Sequence, residues 1–376
     1  MPEPFKNLFN PNMIALMASH LKRVWSQFDE PGFVAQATNN LEKLELKERA
    51  NQIEQALEDQ LPSSFSKAAP ILVSSLHPED DVDLRDTSMD EHGIRGWAIL
   101  PMTQYVGKHG LDDFDLGLDV QKELTKRFSS EFGIRHFILQ DQDRALATLS
   151  QWAKDQNYHV RRLVSEGSRP RLPWAMQLPE LIKNPDPLFP ILEQLKDDPK
   201  EYVRRSVANN LNDVAKDHPD QVAAIANQWM KGASPERKKL IRHACRTLVK
   251  QGHANTLSAL GYKKPQVTIE DFEVLTPKVQ FGNKLEIELT LCSDSTVDQD
   301  LILDYVIHHQ KANGTTTPKV FKWKTFCLKA GQSPTFQRSH PIKTVTTRTY
   351  YPGTHQVEIQ LNGVKLGSKD FELVME

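Results

Sequence analysis

The sequence predicts two folds in series, an all-helical repeat region followed by an antiparallel β-sandwich. Three observations carry this reading. Apolar residues recur at helical spacing through the first two thirds of the chain, as in Leu44, Ala50, Ile53, Ala56 and Leu57 and again in Leu146, Leu149, Trp152 and Ala153. Near residue 265 that spacing gives way to strand-like alternation. Inside the helical part, one phrase occurs three times. The expected division is a helical domain over residues 1–264 and a β domain over 267–376.

Residues 35–60 and 64–150 read as helical, with ELTKRFSSEFGIRHFIL (123–139) ending one repeat and starting the next. An acidic loop, HPEDDVDLRD (77–86), interrupts them. The repeated phrase is NYHVRRLVSEG (157–167), KEYVRRSVANN (200–210) and RKKLIRHACRT (237–247), which makes Arg162, Arg205 and Arg242 equivalent. Each copy follows an amphipathic helix: ALATLSQWAKD, LFPILEQLKDD or QVAAIANQWMK. One helix pair per roughly 40 residues is the HEAT-like pattern.

Seven segments of the β part read as strands: VTIEDFEVL, KLEIELTLC, LILDYVIHH, KVFKWKTFC, a stretch around Phe336, THQVEIQL and KDFELVM. NG at 313–314, AGQS at 330–333, PG at 352–353 and NG at 362–363 are the turns between them. Seven short strands in this length fit an immunoglobulin-like sandwich. Tyr350 and Tyr351 stand where a tyrosine-corner-like bond would form, although the Cys…Trp…Cys pattern of antibody domains is missing.

The formal charge of −2 argues against a strongly basic chain. Its distribution says more. Residues 1–153 carry 15 basic and 24 acidic side chains, whereas 154–253 carry 18 basic and 12 acidic. The acidic first part is expected to lie largely away from any nucleic acid, with Glu131 as the exception, and the basic centre to face toward it. No apolar run is long enough to span a bilayer. Cys245, Cys292 and Cys327 have no disulfide or zinc spacing, and MPEPFKNLFNP lacks the basic and apolar regions of a secretory signal. A cytoplasmic location follows as the expectation. There is no Walker loop, no dinucleotide fingerprint and no nucleophile elbow.

Equivalent positions in stacked repeats line one face at intervals, so Arg161, Arg162, Arg204, Arg205, Arg242 and Arg246 read as a cationic track for phosphates. The alternative is that each arginine braces the neighbouring repeat. VRRLVSEGSRPRLPW (160–174) departs from the repeat because Gly167, Pro170 and Pro173 stop the helix. It gathers Glu166, Arg169, Arg171 and Trp174 in one irregular connection, read either as a site or as an inter-repeat brace with Trp174 as its anchor. On the following helix Ser206, Asn210 and Asp213 stack on one polar face. An Asn-rich helix interior costs helix propensity, an inconsistency of the kind that marks functional positions.

VRRLVSEGSRPRLPW, followed by YVRRSVANNLNDVAKDHPD, resembles the signature of the AlkC-type DNA alkylation repair glycosylases, which are built on HEAT-like repeats. The resemblance covers roughly residues 1–260, and the appended immunoglobulin-like domain is similar to the longer members of that family. It implies a monofunctional N-glycosylase, acting as a monomer on duplex DNA containing alkylated bases and on the nucleoid when engaged. Such an enzyme removes cationic N3-alkylated bases such as 3-methyladenine and 3-methylcytosine without flipping them into a deep pocket. No cofactor and no metal are expected.

An N3-alkylated base already carries a positive charge, so it leaves without a general acid. The remaining barrier lies in the oxocarbenium-like sugar, which carboxylates stabilise while orienting water. Glu166 and Asp213 are the candidates, with Asp213 matching the family's aspartate in NNLND and favoured for the water. Glu131, in SSEFGIR, resembles a further family carboxylate. Trp174 would meet the deoxyribose or the cationic base. Asn210, Arg169 and Arg171 join the expected DNA contacts. Lys319, Lys322 and Lys324 read as alternating along one strand and sharing a face, which would present them to DNA; a solvated edge is the alternative. The competing reading of the whole chain is a non-catalytic HEAT-repeat scaffold that binds nucleic acid or protein.

Overall fold

A computed structural model of the chain describes residues 4–81, 83, 88–346 and 348–375. The first residues of the MPEPFKNLFNP stretch, and residues 82 and 84–86 of the acidic loop, lie outside the described residues. The chain divides into two compact units, Met1–Asp217 with Pro235–Ala244 and His218–Ser234 with Cys245–Glu376. Three helices that the sequence assigned to the repeat domain therefore group with the sandwich.

The helices in chain order are α1 (Pro11–Val24), α2 (Glu30–Thr38), α3 (Leu46–Gln60), α4 (Phe65–Ser74), α5 (Ile99–His109), α6 (Phe114–Thr125), α7 (Ile134–Gln140) and α8 (Gln142–Trp152). They continue with α9 (Tyr158–Gly167), α10 (Pro179–Lys183), α11 (Phe189–Leu195), α12 (Glu201–Val214), α13 (Pro219–Met230), α14 (Pro235–Ala244), α15 (Arg246–Lys250) and α16 (Ala254–Ala259). Helices α13, α15 and α16 belong to the second unit.

In the first unit the thrice-repeated phrase forms α9, α12 and α14, and these pack in that order, α9 on α12 and α12 on α14. Asn157 starts α9 by accepting the His159 N–H at 2.8 Å. Val160, Leu163 and Val164 are fully buried along its apolar face, each worth roughly 1.5–3 kcal/mol relative to exposure. The helix ends where Ser168 donates its hydroxyl to Val164 O at 2.7 Å and Pro170 blocks a further turn. Gly167 permits close approach to α7, since an added Cβ would lie 2.5 Å from Ile134 Cγ2.

In the second unit the strands are β1 (Val267–Val274), β2 (Lys278–Gln280), β3 (Lys284–Ser293), β4 (Gln299–Gln310), β5 (Thr316–Leu328), β6 (Thr335–Pro341), β7 (Gly353–Leu361) and β8 (Val364–Val374). They form two sheets, β1-β3-β6 and β2-β8-β7-β4-β5. Strand β2, parallel to β8, is the one the sequence did not show, because three residues cannot display an alternation. Leu285, Ile287, Leu289 and Leu291 from β3 meet Leu303, Tyr305 and Ile307 from β4 and Val357, Ile359 and Leu361 from β7 in one apolar core. The expected turns carry left-handed residues, among them Gly314, Gly331, Gly353 and the pair Asn362–Gly363. Gly363 also lets Gly252 approach backbone to backbone: a Cβ on Gly252 would sit 2.7 Å from Gly363 Cα. Asn362 Nδ2 donates to Lys263 O at 2.8 Å, which fastens the segment before β1 to the sandwich.

The lysines of β5 do not share a face. A bulge between Leu303 and Asp304 of β4 places Lys324 opposite Leu303 and Lys322 opposite Asp304, while Lys319 pairs with Ile307. Lys319 and Lys324 thus lie on one side and Lys322 on the other, as the odd spacing of 319 and 322 requires. The tyrosine corner is also absent among the described residues. Tyr350 packs its ring on Phe281 and His309, and Tyr351 contributes its carbonyl to His355 Nε2.

Candidate active site

The polar stripe of α12 is a buried seam. Ser206, Asn210 and Asp213 face α9 and the connection after it. Ser206 donates to Glu166 Oε2 at 2.6 Å, and Ser165 donates to Ser206 at 2.6 Å. Asn210 Nδ2 donates to Ser165 O at 2.8 Å and to Ser168 Oγ at 3.2 Å. This corrects the reading of Asn210 as a DNA contact: it is fully buried and braces two elements. The Asn-rich helix interior is explained the same way, since Asn212 Nδ2 likewise donates to Ala244 O on α14 at 2.9 Å.

Carboxylates and arginines alternate along the seam. Arg162 Nη1 donates to Glu131 Oε2 at 2.6 Å, and its Nη2 lies 3.5 Å from Glu166 Oε1. Arg169 Nη1 donates to the same Glu166 oxygen at 2.7 Å, and Arg169 Nε donates to Asp213 Oδ2 at 2.8 Å. Lys216 closes the series with a 3.0 Å bond to Asp213 Oδ1. The series Glu131, Arg162, Glu166, Arg169 and Asp213 thus joins the segment before α7, helix α9, its trailing loop and α12.

Burial would raise the pKa of Glu166, which is 5% exposed, but Arg162, Arg169 and the Ser206 hydroxyl outweigh that cost and hold it below its ordinary value. Burial opposes the charge on Arg162 as well, yet Glu131 and Glu166 leave its pKa raised. Glu166 therefore stands as a paired anion.

Four of the eight arginines expected to contact DNA, Arg161, Arg162, Arg169 and Arg171, are committed to carboxylates. Arg161 is bidentate to Asp198, at 2.5 and 3.1 Å, and also donates to two backbone carbonyls. Arg162 and Arg169 lie in the seam. Arg171 is bidentate to Asp217 at 2.8 and 2.9 Å. Arg204 donates to Asp198 O. Arg246 opens α15 in the second unit. Arg205 and Arg242 are exposed and make no hydrogen bond or ion pair among the described residues. Beside Arg205 the surface between α12 and α14 is hollowed into a cavity of about 290 Å³, also lined by Lys239 and His243.

A larger cleft of about 500 Å³ opens in front of the seam. Glu131 and Arg162 form part of its wall, and Trp97, Phe128, Phe132, Trp174 and Tyr202 supply aromatic surface. Glu131 uses Oε2 for Arg162 and Ser129, and its Oε1 has no hydrogen bond among the described residues. Trp174 is 67% exposed and has φ of +66°, a left-handed conformation that costs a non-glycine residue energy. Lys47 donates to its carbonyl from α3. The sequence reading missed Tyr202, on which Arg162 stacks at 5.0 Å, and the whole contribution of α3 and α5 to the cleft. Trp97 and Phe128, ahead of the repeated phrases, stand in no motif that would have pointed to the cleft.

The position of Asp213 qualifies its assignment to water. It is 3% exposed, with one oxygen on Arg169 and the other on Lys216. Lys216, whose side chain is 45% exposed, is the partner that can leave. For a metal, Glu54, Glu58 and His109 each bring one ligand atom within 4.8 Å of the others. Lys108 Nζ already donates to Glu54 there at 2.7 Å, so an ammonium serves that carboxylate.

Two family descriptions match the chain: "DNA alkylation repair enzyme" over residues 128–256 and "Uncharacterised protein YhaZ, C-terminal Ig-like domain" over 268–375. The YhaZ protein of Bacillus subtilis (strain 168) is 34% identical over 372 residues, spanning 98% of this chain and 99% of that one. Among solved structures, the Pseudomonas fluorescens alkylpurine DNA glycosylase AlkC, bound to DNA containing an abasic site analogue, is 36% identical with a TM-score of 0.88. That match covers 99% of this chain and 100% of AlkC. The chain belongs to the AlkC-type DNA alkylation repair glycosylases. The AlkC-like fold, helical and then immunoglobulin-like, is the one the sequence predicted.

Proposed function

We propose that the protein is a monofunctional DNA glycosylase that hydrolyses the N-glycosidic bond of cationic N3-alkylated bases, 3-methyladenine and 3-methylcytosine, in duplex DNA. The observation that carries this reading is the aromatic cleft with one carboxylate edge, Glu131 Oε1, that makes no hydrogen bond among the described residues. Trp174 and Tyr202 suit a planar cation, a contact worth about 0.5–2 kcal/mol. Glu131 then faces the charge that develops on the sugar as the base departs, with its own charge oriented by Arg162.

The leaving base accepts the electron pair of the glycosidic bond, which neutralises its cation, and water adds to C1′ and loses a proton. Asp213 Oδ1 is the acceptor for that proton once Lys216 has swung into solvent. Glu166 touches neither sugar nor water in this scheme; it fixes Arg162 and Arg169, and through them the two outer carboxylates. Arg205 and Arg242 hold backbone phosphates beside a bent duplex. A surface cleft of this kind supports excision without extrusion of the base into an enclosed pocket.

The test is chromatographic detection of free bases after incubation with methylated duplex DNA, with neither metal nor nucleotide added. Release of 3-methyladenine above the spontaneous rate is expected. Release at the spontaneous rate, with DNA still bound, would favour the scaffold reading.

A further inference from the structure

Arg135, on α7, is fully buried, and among the described residues its hydrogen bonds go to no carboxylate. Its guanidinium is spent on the backbone of the connection after α9. Nε donates to Met176 O at 2.7 Å, and Nη1 donates to Gly167 O at 2.9 Å and Arg169 O at 2.8 Å. Its Nη2 has no hydrogen-bond partner among the described residues.

A buried guanidinium with an unsatisfied N–H is costly, and neutral carbonyls repay less of that cost than a carboxylate would. Burial, with Arg169 nearby, lowers the Arg135 pKa to about 10. The three carbonyls bracket the two residues that matter most. Gly167 and Arg169 flank the turn that aims Arg169 at Glu166 and Asp213, and Met176 follows Trp174. Leu178 N closes a loop onto Pro170 O at 3.1 Å, with the Met176 carbonyl inside it and those of Gly167 and Arg169 just before its first residue. Trp174 keeps its left-handed backbone and exposed ring within it, a conformation that persists only where the surroundings impose it.

We propose that Arg135 is a positioning residue for catalysis: its planar fork holds the 167–176 connection in the shape that presents Trp174 to the cleft and Arg169 to the two carboxylates. This deepens the glycosylase reading and rests on it for its kinetic arm only. Lysine keeps the charge but supplies no fork, so three carbonyls in a fixed arrangement distinguish the two.

The experiment compares the full-length protein with Arg135→Lys and Arg135→Gln, using 5-fluorotryptophan labelling, 19F NMR and excision kinetics. The chain has six tryptophans, and Trp174→Phe assigns the resonance of Trp174. In both variants the Trp174 signal is expected to shift or broaden while the other five stay in place. The kcat for base release is expected to fall about 100-fold, the scale of a misplaced group, with KM for DNA changed by no more than about twofold. An unmoved Trp174 signal would overturn the proposal, as would wild-type kcat in Arg135→Lys. So would collapse of all six signals in both variants, since Arg135 would then hold the core and not the loop. If the wild-type protein releases no base, the glycosylase reading fails while the NMR comparison still decides the role of Arg135.

Discussion

Arg162 reaches back 31 residues to Glu131, Nη1 to Oε2 at 2.6 Å, and stacks on Tyr202 of α12. The pair fixes one oxygen of Glu131 and leaves the other for the cleft. Replacing Glu131 by Gln keeps the shape and removes the charge. Excision is expected to slow by about 100-fold or more, with little change in DNA affinity, and single-turnover rates beside binding isotherms separate the two.

Asp213 and Lys216 give a graded pair of substitutions. Asp213→Asn breaks a buried ion pair with Arg169 and is expected to cost about 3–5 kcal/mol of stability, together with activity. Lys216→Met frees Asp213 Oδ1 and removes only a half-exposed partner. It is expected to keep stability within about 1 kcal/mol and to retain excision. Urea unfolding and base release on both variants check this, and loss of excision in Lys216→Met would contradict the idea that its ammonium must leave.

Glu166 makes a pH prediction with a definite sign. Burial raises its pKa, but Arg162, Arg169 and Ser206 lower it by more, so the folded value lies below the unfolded one. Its contribution to stability is therefore complete above the ordinary carboxylate range and is lost as pH falls through the lowered folded value. Unfolding free energies measured from pH 6 down into the acid range should decline less steeply in Glu166→Gln than in wild type, after allowing for the lower starting stability of the variant.

Arg205 and Arg161 should separate by salt dependence. Arg205→Ala is expected to weaken DNA binding and to reduce the slope of log K against log salt by about 0.9, the value for one phosphate contact. Arg161→Ala removes a pair with Asp198 and should lower thermal stability while leaving that slope unchanged.

Much of the fold was legible because its signals are local. The change of period near residue 265 and the turns at Gly314, Gly331 and Asn362–Gly363 need only neighbouring residues to be read. The repeated phrase likewise became α9, α12 and α14. Of the site, the loop with Glu166, Arg169 and Trp174 stood out through its prolines. Which arginines are free was not legible, since Asp198 lies 37 residues from Arg161 and Glu131 lies 31 from Arg162. Only the packed chain brings those partners together and leaves Arg205 and Arg242 over. Arg135 was hidden for a related reason: its partners are backbone carbonyls, which no side-chain motif records.

The most direct test is single-turnover release of 3-methylcytosine from a duplex with one defined lesion, comparing wild type, Glu131→Gln and Asp213→Asn at saturating protein. The account predicts free base and an abasic strand from wild type, with both variants bound to the duplex but slowed by about 100-fold or more. Wild-type binding with no base released, or equal rates in all three proteins, would contradict it.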